Sequence, residues 1–128
     1  MTDNDFLAAF EAGTLPGEAF DHRAHLRLAW LYLRRLPQAQ AEAAVCAGIQ
    51  GFAERLGAAD KFHLTLTMAL VRLVAAAPLA PSFEAFLAGS PALLADAKGL
   101  LAQHYSAELL ASLDARHAFL GPDLAPLP

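Results

Sequence analysis

The residues of this chain best suited to chemistry are histidines. His22 and His25 stand three apart in Phe20-Asp21-His22-Arg23-Ala24-His25, and His63 follows in Lys61-Phe62-His63-Leu64-Thr65-Leu66-Thr67. On a helix, an i,i+3 pair of imidazoles borders one face closely enough to share an ion. A helix start disfavours imidazolium and keeps the ring in its neutral, metal-ligating form. If His63 arrives from a second helix, the set becomes three histidines with a position left open. That is the pattern of a catalytic zinc, or of iron if a carboxylate joins. Asp21, Asp60 and Glu18 supply carboxylates, as ligands or as acceptors for the ring N–H. Thr67 and Tyr32 are placed to orient a substrate. A metal there would lower the pKa of its bound water and open hydrolytic or lyase chemistry.

Other readings stay open beside this one. Without metal, two helix starts and neutral imidazoles make a pocket for a small molecule or an anion, with Lys61 and Arg23 as counter-charge. In the blandest reading each histidine caps a helix or lies hydrogen-bonded in the core, and the chain is a homodimeric interaction module. An H-x-x-H pair lacks the built-in base of H-E-x-x-H, and it needs His63 beside it in space. His104 and His117 read as cap or surface residues. No serine sits in a G-x-S-x-G elbow and no glycine-rich phosphate loop is present, so neither a serine hydrolase nor a nucleotide-binding loop has support. Whether the protein is an enzyme does not follow from these residues.

Composition bounds the alternatives. At 128 residues the chain fits one domain. Its net charge of −4 and pI near 5.6 lack the basic footprint that a phosphate backbone requires, so nucleic acid is not an expected partner. Hydrophobic residues make up 56% and charged ones only 17%, which suggests an apolar patch that pairs with another copy or covers a ligand. Charges and prolines interrupt every apolar stretch, so no membrane span is expected. The acidic start, Met1-Thr2-Asp3-Asn4-Asp5, is unlike a secretory signal, and a cytoplasmic location is the expectation. Cys46, the single cysteine, excludes an internal disulfide and reads as a small core residue.

The elements that must position the histidines are helical throughout. Alanine and leucine dominate and no alternating β-branched run appears, so the fold reads as all-α, a single-domain irregular bundle of five to seven helices. A helix over 3–12 puts Phe6 and Phe10 one turn apart and stops at Gly13. After a turn-rich stretch, Asp21 caps a helix running to about Arg35, whose buried stripe is His22, Leu26, Ala29 and Leu33. A third helix follows Pro37 to about Leu56, with Gly57 as its stop. Asp60 is expected to cap a fourth, ending before Pro78, with His63 pointing inward and Thr67 one turn below. Shorter helices come next, with Ser106 capping a last one to Phe119. The proline-rich ending from Gly121 lies extended over the surface.

Taken together, the F-x-H-x-x-H-L-R segment at Phe20–Arg27, the K-F-H-L-T-L-T segment and the Pro122-Asp123-Leu124-Ala125-Pro126-Leu127-Pro128 ending resemble a group of small bacterial all-helical proteins without an established activity. The resemblance spans nearly the whole chain. It implies a shared fold and site position rather than a reaction.

Overall fold

The computed structural model describes residues 1–128, as nine α-helices, two short 3-10 turns and no strand. The chain divides into two compact units, Met1–Phe62 and His63–Pro128. No helix is long and apolar enough to cross a membrane.

The first unit is built from α1 (Asp3–Ala12), α2 (His22–Arg35) and α3 (Gln38–Arg55), with 3-10 turns at Gly17–Ala19 and Ala59–Lys61. Local chemistry sets each boundary. Thr2 and Asp5 form a reciprocal capping box at the start of α1, Oγ1 accepting from the Asp5 amide at 3.0 Å and the Asp5 carboxylate from the Thr2 amide at 3.1 Å. Gly13 ends that helix in the left-handed region at φ 75°, where glycine has no Cβ to clash. α2 packs on α3, and α1 on α2. The core between them is aromatic. Phe10, Phe20 and Phe52 lie with ring centroids 4.8–5.6 Å apart, within the range of favourable ring pairing. A Cβ on Gly48 would come within 2.8 Å of the Phe10 ring, so α3 needs glycine there for the ring to approach. Arg27 adds a tie, donating to Asp3 at 2.7 Å while its guanidinium lies over Phe6.

The second unit is built from α4 (Leu64–Ala76), α5 (Phe83–Gly89), α6 (Pro91–Ala95), α7 (Ala97–Ala102), α8 (Ala107–Ala111) and α9 (Leu113–His117), followed by a tail without regular structure. α4 packs against α7 and α9, and a cluster of Ala69, Leu101 and Tyr105 gathers Leu66, Leu73, Leu109, Leu110 and Leu127 around it.

The helices exceed the expected five to seven because small polar residues restart the chain so often. Asp96 caps α7 through the Gly99 amide at 3.1 Å. Ser112 closes α8 by donating to the Leu109 carbonyl at 2.7 Å and opens α9 by accepting from the Ala115 amide at 3.1 Å. The single helix expected from Ser106 to Phe119 is therefore two. The cap of α4 is also not the one expected. Asp60 lies in the 3-10 turn, the chain extends through Phe62, and His63 is the capping residue.

Candidate functional site

Asp21 opens α2 as the sequence suggests, its carboxylate accepting from the Ala24 amide at 2.9 Å. The carbonyl of the same residue does more. It accepts the helical N–H of His25 at 3.0 Å and also lies 2.7 Å from His25 Nδ1. A carbonyl can only accept, so Nδ1 carries the proton and Nε2 of the neutral ring holds the lone pair. The ring is stacked on Phe20, centroids 4.1 Å apart and planes 29° from parallel. Burial is the main force holding the His25 pKa below the ordinary histidine value, and the charge of His22 acts in the same direction. The Asp21 carbonyl opposes them. His25 is thus a neutral imidazole at pH 7 with its tautomer and orientation set by the main chain.

His22, the first residue of α2, is exposed rather than bordering the buried face. The helix buries Ala24, Leu26, Leu28, Ala29, Trp30 and Leu31, a broader strip than the expected stripe; Leu26 and Ala29 lie below His22 on its own side, but His22 itself stands at the exposed helix start. Tyr32 is partly buried two turns beyond His25, and burial first, then Glu11, pushes its hydroxyl pKa up. Glu18 is exposed in the first 3-10 turn. Asp60, in the second, is exposed as well.

His63 is buried, as expected of an inward-pointing residue, but both of its ring nitrogens are engaged. Nδ1 accepts from the Leu66 amide at 3.1 Å, the bond that caps α4. Nε2 lies 2.8 Å from the Leu110 carbonyl, to which it must donate. Nδ1 therefore holds the lone pair, and it is spent on the helix start. To ligate a metal as placed, His63 would have to give up its cap. Thr67 is committed too, its hydroxyl donating to the His63 carbonyl at 2.8 Å. No group of three or more His, Cys, Asp or Glu side chains is arranged to hold a metal ion. The anion reading meets the same obstacle, because the Asp21 carboxylate and His63 Nδ1 take first-turn amides of α2 and α4 that an anion would need.

The Lys-Phe-His-Leu-Thr-Leu-Thr segment has a different use. Thr65 is fully buried, donates its hydroxyl to the Ala118 carbonyl at 2.7 Å, and accepts from the Leu120 amide at 3.1 Å. Tyr105, 1% exposed, donates to the Leu120 carbonyl at 2.7 Å. Farther on, Asp123 accepts from the Ser106 amide at 2.8 Å and from its hydroxyl, and His104 bonds the tail at Leu124 and Ala125. The tail has no regular structure, bends at Asp123–Ala125 instead of running extended, and is pinned by these bonds. Thr65 and Tyr105 carried no signal in the sequence beyond lying in segments rich in hydrogen-bonding side chains. Cys46 is buried and its thiol is pushed up to about 11, mainly by burial, which makes it inert.

No protein-family model matches this chain, and no match is found among curated proteins or solved structures.

Proposed function

We propose that the protein binds a divalent transition metal, zinc or iron, at the start of α2, through His25 Nε2 and His22, with the remaining coordination positions left to water or to a small-molecule substrate. The observation that carries this reading is the bond from His25 Nδ1 to the Asp21 carbonyl. Ligating histidines usually donate their second ring nitrogen to such an acceptor, which fixes the tautomer and raises the basicity of the ligating nitrogen. The lowered His25 pKa also means that metal need not displace a proton at neutral pH. Two protein ligands make a weaker site than three, and an open one. That suits a metal-dependent enzyme acting on a bound water better than a structural metal.

A second reading rests on the same ring. His25 Nε2 is an oriented acceptor beside the Phe20 face, and a metal-free protein could use it to take a hydrogen bond from, or a proton off, a small planar molecule stacked nearby.

Zinc titration followed through the imidazole resonances separates these readings. Saturable shifts of His22 and His25, lost in His25→Ala and preserved in His63→Ala, support the two-histidine site. Equal loss in His63→Ala would restore a three-histidine site in which His63 gives up its cap. Silence at millimolar zinc would sink metal binding and leave the small-molecule reading.

A further inference from the structure

The tail of the second unit is held in two parts that meet at Gly121. Up to Leu120 it is tied by the buried side chains of Thr65 and Tyr105. Beyond Gly121, which is exposed and around which a Cβ would meet nothing within 4 Å, its hydrogen bonds all go to the α7–α8 junction, and Leu127 adds an apolar contact to the cluster that includes Ala69 of α4. At the junction Leu124 donates its amide to the His104 carbonyl at 3.0 Å, and His104 Nδ1 donates to the Ala125 carbonyl at 3.1 Å. Asp123 takes both donors of Ser106, and Leu127 packs on the cluster of Ala69, Leu101 and Tyr105. The junction thus reads an acidic side chain and two main-chain groups of a segment that bends at Asp123–Ala125, and the adjoining cluster takes an apolar side chain. Peptide-binding grooves use the same combination of main-chain pairing for affinity and side-chain pockets for selection.

We propose that the α7–α8 junction is a recognition site for the Asp-Leu-Ala-Pro-Leu segment, filled in cis by the chain's own tail and able to take the tail of a second copy in exchange. None of the junction's bonds depends on the segment being connected through Gly121. The Gly121-Pro122 step is the hinge at which the outer part leaves while Ala118–Leu120 stay pinned. Reciprocal exchange of that part would join two copies by the bonds that now close each one, the logic of a domain-swapped dimer. The tether gives the cis tail a high effective concentration, so exchange is concentration-dependent and the closed form dominates in dilute solution.

The test uses the full chain and a fluorescent peptide of residues 121–128. Asp123→Asn in the chain loosens its own tail and frees the junction. This chain is expected to bind the wild-type peptide at least about tenfold more tightly than the wild-type chain does, and not to bind an Asp123→Asn peptide. Retained amide protection at Leu120 shows that the unit is still folded. Should the variant lose its fold, the wild-type chain at saturating peptide decides the matter through shifts of the Ser106 and Leu124 amides. In sedimentation, the wild-type chain should show a dimer fraction that grows with concentration and is suppressed by excess peptide. No peptide binding to either chain overturns the recognition site. Binding to a chain that stays monomeric at every concentration overturns the second copy as the occupant.

Discussion

The first unit centres on rings packed on one another, whereas the second adds to its apolar core a set of side chains bonded to main chain, and helix length accounts for the difference. In the first, α2 and α3 run to 14 and 18 residues and satisfy most of their own backbone groups. Their buried faces can be largely apolar, and Phe52 of α3 packs with Phe10 of α1 and with Phe20 from the turn before α2. In the second, α6, α8 and α9 have five residues each. A helix leaves its first four amides and last four carbonyls unpaired, so a five-residue helix supplies itself with almost nothing. Ser106, Ser112 and His63 provide groups that α8 and α9 lack, and Thr65 and Tyr105 do the same for the chain that follows them, at Ala118 and Leu120. Polar residues buried in the second unit therefore read as architecture first, whereas the one oriented imidazole of the first unit is bonded to a single carbonyl and keeps a lone pair.

The sharpest challenge to this contrast is Phe20→Ala. Removing a buried ring costs about 3–5 kcal/mol, measurable by denaturant unfolding. The same change removes the ring that His25 stacks on, so the His25 pKa should rise toward the ordinary value of about 6.5 in an NMR titration. A His25 pKa that stays put would mean that Phe20 does not set the site.

Thr65→Val tests the second unit with almost no change of shape. It leaves the Ala118 carbonyl and the Leu120 amide without their partner, a cost of about 1–3 kcal/mol in unfolding experiments. Neutrality of this substitution would show that the hydroxyl ties are incidental and would break the comparison.

The smallest effects are those of pH. His25 has a lowered folded pKa, so its contribution is fully present above about pH 6.5 and is lost as pH falls through the folded value. Asp123 has its carboxyl lowered by the Ser106 hydroxyl first and the Ser106 amide second. Its contribution is complete above the unfolded carboxylate value of about 3.9 and disappears as pH drops through the folded one. The two windows separate, so stability measured against pH should show a histidine step removed by His25→Ala and a more acidic one diminished by Asp123→Asn. A histidine step that survives in His25→Ala, or an acidic one undiminished in Asp123→Asn, would contradict the assignment.

The class of the fold and the ends of the first three helices are legible in the order of residues alone. Thr2 to Gly13, Asp21 to Arg35 and Pro37 to Gly57 carry the signals that stop and start helices within a few residues of the bonds they make, and 3.6-residue periodicity places Leu26, Ala29, Ile49 and Phe52 inward. The order of residues also marked the neighbourhood of His25, because a histidine in the first turn after an aspartate cap can reach the cap's own carbonyl. Tertiary structure alone decided what His63 does. Its ring bonds Leu110, and Thr65 bonds Ala118 and Leu120, partners far along the chain that no local pattern names. The same holds for Ser106 and Asp123, each an ordinary cap or turn residue until the tail folds back. Local spacing fixes the direction in which a side chain leaves its helix, but which lone pair it spends is decided by the group it meets.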